Sequence, residues 1–303
     1  MKRSLVQWGE SYLYHPSRVQ KIFSYTLLPL SWIYCLLSFI RYRLSTPKKF
    51  GIPVVSVGNL TVGGSGKTPL VIALASHFKR PAIVLRGYGR QSKGMIVVKD
   101  GTILCDTLIS GDEAMLYATT LSNAVVIVSE KREFAIIEAK SRGCTMVFLD
   151  DGYGKHGIVK LDLLIDVETP NTFCLPSGAY REKLWSGKKV IRVREGENFT
   201  RHVTVLNPTS CMILVTAIAR PERLNPYLPE VAEKIYFEDH HFFTLDELQG
   251  IIRRTGATSL LITQKDFVKI AHFNLTLSVL MLSLELDEEL ITTVKDYVYA
   301  TQD

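Results

Sequence analysis

The chain has 303 residues, with 36 Lys and Arg against 30 Asp and Glu, for a formal charge of +6. At about 150 residues per domain, that length predicts one large domain or two ordinary ones. A composition of 47% hydrophobic and 22% charged residues excludes disorder, collagen and a many-spanning membrane protein. Residues 1–50 hold eight basic side chains (Lys2, Arg3, Arg18, Lys21, Arg41, Arg43, Lys48, Lys49) and one acid, Glu10, which leaves 28 basic against 29 acidic in residues 51–303. A basic excess confined to one segment points away from nucleic acid as a partner.

Between the basic flanks runs Phe23–Ile40, eighteen residues without a charge. As one helix rising about 1.5 Å per residue it is roughly 27 Å long, near the hydrocarbon thickness of a bilayer. Pro29 interrupts the run, Ser24, Thr26, Ser31 and Ser38 dilute it, and Tyr25, Trp32 and Tyr34 favour the headgroup level. Two readings stand, a short span or a helix lying in the interface. The basic flanks weigh against a buried core helix and suit the cytoplasmic face of an anionic membrane. No cleavable signal is expected, because about twenty mixed residues precede the run and Arg41-Tyr-Arg43 follows it.

From Pro53 onward, short apolar runs alternate with helical stretches. Strands are expected at Val54–Val57, Ala82–Leu85, Val125–Val128, Met146–Leu149, Leu163–Val167, Met212–Thr216, Leu260–Thr263 and Ser278–Leu284. Helices are expected at Pro69–Phe78, Asp112–Leu121, Lys131–Ser141 and Leu245–Thr255. This rhythm predicts an α/β fold of parallel sheets with flanking helices. A polar stretch at Glu195–Pro208 predicts a boundary there, giving an N-terminal segment 1–49, a first unit 50–200 and a smaller second unit 209–303. Five scattered cysteines (Cys35, Cys105, Cys144, Cys174, Cys211) indicate neither a disulfide framework nor a zinc site, and so a reducing compartment.

The strongest local motif is Thr61, Val62, Gly63, Gly64, Ser65, Gly66, Lys67 and Thr68, between the strand Val54–Val57 and the helix opened by Pro69. Strand, glycine-rich loop and helix start aim backbone N–H groups and a helix dipole at an anion. Lys67 suits the β- and γ-phosphates of a nucleotide and the Thr68 hydroxyl suits Mg²⁺. Thr61 departs from the usual leading glycine. Asp150-Asp151, at the end of an apolar run, fits the carboxylate that handles magnesium and water, or else turn chemistry before Gly152. Thr263-Gln-Lys-Asp266 misplaces the lysine of a guanine-reading motif, so ATP is the expected nucleotide.

The wider string Gly58-Asn-Leu-Thr-Val-Gly-Gly-Ser-Gly-Lys-Thr-Pro69 resembles the signature of the tetraacyldisaccharide 4′-kinases of the lipid A pathway, in which Thr also leads the loop. Further matches follow in order: Arg86-Gly-Tyr-Gly89, Gly111-Asp-Glu-Ala114, Asp150-Asp-Gly-Tyr153, Leu175-Pro-Ser-Gly-Ala-Tyr-Arg-Glu182, Ile218-Ala219 with Pro221, Phe237-Glu-Asp-His-His241 and Thr263-Gln-Lys-Asp266. Gly154 and Lys155 before His156 depart from the family's Gln-His, as do Ala217 for Gly and Gln264 for Glu.

The resemblance implies a P-loop kinase domain, a smaller α/β domain closing over the cleft and an N-terminal membrane-associated helix. It implies transfer of the γ-phosphate of ATP, with Mg²⁺, to the 4′-hydroxyl of tetraacyldisaccharide 1-phosphate, giving lipid IVA. That lipid would be met at the cytoplasmic face of the bacterial inner membrane, and no obligate protein partner is evident. Asp112 matches the family's candidate base, and Asp239-His240 the partner pair from the second domain, with Lys67 in the catalytic set. Glu113, Asp150, Asp151 and Thr68 are the metal candidates. Arg86, Arg132, Arg181 and Glu182 are the substrate and phosphate candidates, and Glu182, like Glu113, could organise magnesium directly or through water. Read locally, Asp112 could be a helix cap, and His240 and His241 packing residues.

Overall fold

The computed structural model describes residues 2–302, and the side chains of residues 8–301. The strands, in chain order, are β1 (Val54–Gly58), β2 (Ala82–Leu85), β3 (Ile96–Asp100), β4 (Thr102–Ile103), β5 (Val125–Val128), β6 (Val147–Asp150), β7 (Leu161–Ile165), β8 (Ile191–Val193), β9 (Phe199–Leu206), β10 (Met212–Thr216), β11 (Glu233–Tyr236), β12 (Ser259–Thr263) and β13 (Leu277–Leu286). The helices are α1 (Lys2–Tyr14), α2 (Arg18–Thr26), α3 (Leu28–Leu44), α4 (Lys67–Ala75), α5 (Thr107–Ser110), α6 (Asp112–Thr120), α7 (Arg132–Ser141), α8 (Leu245–Thr255), α9 (Gln264–Ile270) and α10 (Glu288–Gln302).

The first sheet has the order β4-β3-β5-β2-β6-β1-β7-β8, parallel from β5 to β8, with β3 and β4 added antiparallel. Its central strands are buried on both faces, and alternate residues feed two cores. Val55, Val57, Ile83, Leu85 and Phe148 pack with α4 and α6, while Val54, Val84, Ile127 and Leu149 pack with α7. The second sheet, β11-β10-β12-β13-β9, is parallel except for β9. Helix α8 lays Leu248 and Ile251 on it. Thr244 caps this helix by accepting from the Glu247 N–H, acids fill its first turn, Arg253 and Arg254 its last, and Gly256 ends it in the left-handed conformation.

Two sequence expectations change here. Phe199–Leu206, read as part of the polar boundary between the two units, is the edge strand β9, antiparallel to β13. Its side chains alternate in burial, so it carries no continuous apolar run. Helix α10, expected within the second unit, returns to the first sheet and buries Leu290, Val294 and Val298 with Val55, Val57 and Leu163.

The uncharged N-terminal run is broken rather than continuous. Among the described residues no single helix is long and apolar enough to cross a membrane; α2 and α3 together are, but they meet at 59°, with Pro29 in the first turn of α3. The serines read as dilution form the inward face. Ser24 donates to the Ser177 carbonyl, Ser31 accepts from the Ser177 N–H at 2.9 Å, and Ser38 donates to Glu182 Oε2 at 3.2 Å. Ser31 and Ser38, seven apart, lie on one face of α3, and Ser24 turns to the same segment from α2. The opposite face leaves Trp32 68%, Leu36 57% and Leu37 62% exposed.

This arm rests against a buried ionic cluster. Asp162 on β7 takes Lys160 on one oxygen and Lys188 on the other at 3.2 Å. Lys188 also donates to His156 Nδ1 at 3.0 Å and lies 3.7 Å from the Tyr153 ring centre. Asp162→Asn would leave two buried ammonium groups without a counter-charge, and is expected to lower unfolding free energy by about 3–5 kcal/mol. Urea titration checks this; a loss under about 1 kcal/mol would contradict it. Burial pushes the Lys160 amine down to about 8 despite Asp162. The unfolded chain therefore binds this proton up to its ordinary value while the folded chain releases it near 8, so Lys160 makes stability rise with pH across that interval.

Candidate active site

The register of the first sheet assembles the site. Val57 lies beside Asp150 in the parallel β1–β6 pair, so the loop leaving β1 and the acids ending β6 share one edge. The β1 loop enters α4 at Lys67 through Gly66, which has φ +84°. Only glycine adopts that conformation without strain.

Thr61 fits the leading position because a second loop backs it. It is buried and bridges to Tyr180, and Asn59 Nδ2 donates to its carbonyl at 2.9 Å and its hydroxyl at 3.1 Å. Val62 N–H donates to the Ala179 carbonyl at 2.9 Å. Lys67 Nζ donates to Asn59 Oδ1 at 3.1 Å and Ser65 Oγ at 3.4 Å, and lies 3.5 Å from Asp151 Oδ1. A cleft of about 750 Å³ opens beside the loop, lined in part by Leu60, Thr61, Tyr180, Arg220 and Arg223.

The two acids at the end of β6, Asp150 and the following Asp151, differ. Asp150 accepts from the Tyr117 hydroxyl on Oδ2 at 3.0 Å, while its buried Oδ1 has no protein partner. Burial, reinforced by Glu113 and Asp151 and opposed by Lys67, pushes its carboxyl up to about 7. Asp151 is also driven up by burial, but Lys67 and Arg181 outweigh this and hold it below the usual carboxylate range. Arg181 pairs with Asp151 and donates to Asn59 Oδ1 at 3.2 Å. Tyr117 also lies beside Thr68, bringing that hydroxyl to the acidic pocket.

The third group joins the two sheets. Asp112 opens α6 and is 4% exposed. From the second sheet, His240 Nδ1 reaches Asp112 Oδ1 at 3.0 Å and Oδ2 at 2.9 Å. A carboxylate only accepts, so Nδ1 carries the hydrogen. His240 sits at φ +63° and its N–H is tied to the Ala217 carbonyl at 3.1 Å. Its Nε2 faces Asp239 Oδ2 at 3.5 Å. Burial raises the Asp112 carboxyl, but the His240 hydrogen bond, Lys265 and Lys269 more than offset it, so the group is held below its ordinary value.

Lys265 is the residue that sequence reasoning missed. Its Nζ lies 3.4 Å from Asp239, 3.7 Å from Asp112 and 3.8 Å from Glu113, and these acids overcome the effect of burial to raise its amine. The signal was Thr263-Gln-Lys-Asp266, singled out but given no role. Asp266 itself is fully buried, accepting from Thr216 Oγ1 at 2.6 Å and Thr263 Oγ1 at 2.8 Å, and it ties β10 to α9.

Other candidates fall differently. Arg86, after β2, is exposed. Arg132 is fully buried, donates to the Ser129 carbonyl and leaves Nε without a protein partner. A direct phosphate contact is closed to it in this conformation, and its charge acts on Asp150 and Asp151 from beneath the surface. Glu182 is not free for magnesium or phosphate: it accepts from Ser38 and Arg41 on α3, with His156 Nε2 3.6 Å away. His241 pairs with Glu247 at 2.9 Å and stacks on Phe237.

A phosphate loop on a parallel sheet, opposed by paired carboxylates and by an acid–imidazole contact from a second sheet, defines a P-loop phosphotransferase. The sequence profile of the family described as tetraacyldisaccharide-1-P 4′-kinase matches residues 23–202 and 189–299. Curated tetraacyldisaccharide 4′-kinases are 43% identical in Aliarcobacter butzleri, over 98% of this chain and 99% of that one, and 39% identical in Campylobacter jejuni, over 96% of each. The solved structure of LpxK from Aquifex aeolicus in complex with ATP superposes with a TM-score of 0.71 at 25% identity, covering 93% of this chain and 100% of that one. The chain belongs to the tetraacyldisaccharide 4′-kinase family, the kinases of lipid A biosynthesis.

Proposed function

We propose that this kinase binds ATP on residues 61–68 and transfers its γ-phosphate to the 4′-hydroxyl of tetraacyldisaccharide 1-phosphate, with Asp112 as the base. The observation that carries the assignment is the Asp112–His240 contact between the two sheets beside the phosphate loop. Asp112 accepts the hydroxyl proton, His240 fixes the carboxylate through Nδ1, and Asp239 and Lys265 hold the far side of that pair. Arg181 and Lys67 supply positive charge at the phosphates, and Arg86 meets them from the end of β2. In domain terms, 50–200 carries the nucleotide and the second sheet brings the partner of the base.

Mg²⁺ suits this pocket. Asp150 presents a buried oxygen without a protein partner, and burial, reinforced by Glu113 and Asp151, discourages its ionisation, which a bound cation would offset. Among the described residues no group of three or more His, Cys, Asp and Glu forms a complete metal cage. An ion here would be held by Thr68, Asp150 and Glu113 together with nucleotide oxygens and water. The ion would draw off charge on the phosphates.

The exposed apolar face of α2 and α3 supports a place on the cytoplasmic face of the inner membrane, with this face in the interface. Leu36→Glu with Leu37→Glu is expected to reduce sedimentation with anionic vesicles at least about fivefold, since each buried leucine contributes about 1.5–3 kcal/mol. The melting temperature should be unchanged; undiminished sedimentation would place the contact elsewhere. The activity itself is tested by incubating the protein with ATP, Mg²⁺ and tetraacyldisaccharide 1-phosphate. Mass analysis should find one added phosphate on the distal sugar, and ATP loss without a phosphorylated lipid would refute it.

A further inference from the structure

The N-terminal arm presents an apolar face outward and also reaches the phosphate loop, through Tyr14. The Tyr14 side chain is 7% exposed, and its hydroxyl donates to the Val62 carbonyl inside the loop. Its ring lies 3.8 Å from the Arg220 guanidinium of the second sheet's lobe. Two peptides further along the loop, the Gly64 carbonyl accepts from Arg223.

In a trans peptide the C=O and the following N–H point in opposite directions. Fixing the Val62 and Gly64 carbonyls from outside therefore turns the Gly63 and Ser65 N–H groups the other way. These peptides have little stiffness of their own, because Gly63 and Gly64 are adjacent and Gly63 already sits at φ +88°. Tyr12, on the same helix, donates instead to the Pro176 carbonyl at 3.0 Å, outside the loop.

We propose that Tyr14 is a positioning residue of the kinase: its hydroxyl presets the phosphate loop for ATP, so the arm that meets the membrane also tunes nucleotide affinity. The proposal rests on residues 61–68 being the ATP site. Tyr14 touches no reacting atom, and it acts by lowering the ordering that ATP must impose on a glycine pair.

The test uses the full-length protein in detergent, titrated with a β,γ-non-hydrolysable ATP analogue. Tyr14→Phe keeps the ring against Arg220 and removes only the hydroxyl. It is expected to weaken the analogue about three- to tenfold, the size of one hydrogen bond, and to raise KM for ATP equally, with kcat and KM for the lipid within about twofold. Tyr12→Phe removes a hydroxyl of the same helix that does not touch the loop, and should leave analogue affinity within about twofold. Unchanged affinity in Tyr14→Phe, or an equal loss in Tyr12→Phe, would overturn the role of Tyr14. Lys67→Ala run alongside separates the premise: wild-type affinity there would show that ATP does not bind on this loop at all.

Discussion

Asp112→Asn is expected to lower kcat about a thousandfold, within the range general-base removal produces, while ATP affinity stays within about threefold. Asparagine keeps the shape and can still accept from the Glu113 N–H, but it cannot take a proton from a hydroxyl. The carboxylate is prepared for that step: His240 bridges both of its oxygens and Lys265 and Lys269 hold it ionised against the effect of burial. His240→Gln should lower kcat less, about tenfold to a hundredfold, because it loosens the base without removing it. Steady-state transfer to the lipid acceptor measures both, and a rate for Asp112→Asn within about tenfold of wild type would end its candidacy as the base.

The second large effect is expected from Lys67→Ala, which should cost about a thousandfold in kcat/KM. The amine is divided among Asn59, Ser65 and Asp151, so it is held at the loop where the phosphates would lie. Removing it also leaves Asp151 to Arg181 alone and takes away the cation that opposes the upward push on Asp150. Secondary structure by circular dichroism should be retained, since none of these contacts lies in the apolar cores. Transfer within tenfold of wild type would mean that the phosphates are neutralised elsewhere.

Features carried by local chemistry were legible in the chain. The loop 61–68, the acids at 150 and 151 and the fully buried strands each announce themselves within a few residues. Features that depend on what lies opposite were not. Strand β9 alternates polar and apolar residues because it is an edge, and only its pairing with β13 identifies it. Ser24, Ser31 and Ser38 read as weak hydrophobicity because the usual amphipathic rule puts polar groups outside; here the inside is a polar loop. Glu182 shares a motif with Arg181, but neighbouring side chains diverge, and one turns to the phosphate loop while the other turns to α3. Lys265 lies 153 positions from Asp112, and no spacing rule links them.

The two chain crossings between the sheets have a mechanical consequence. Leu286 and Phe199 are register partners at the end of the β13–β9 pair, and Asp287 N–H donates to the Asn198 carbonyl at 2.9 Å. The chain thus enters and leaves the second sheet through two straps laid side by side, and α10 anchors the outgoing strap in the core of the first sheet. A doubled strap bends easily across its flat and resists torsion. Such a joint is expected to favour one axis of swing between the lobes, and the Asp112–His240 contact, which spans them, would open and close along that arc.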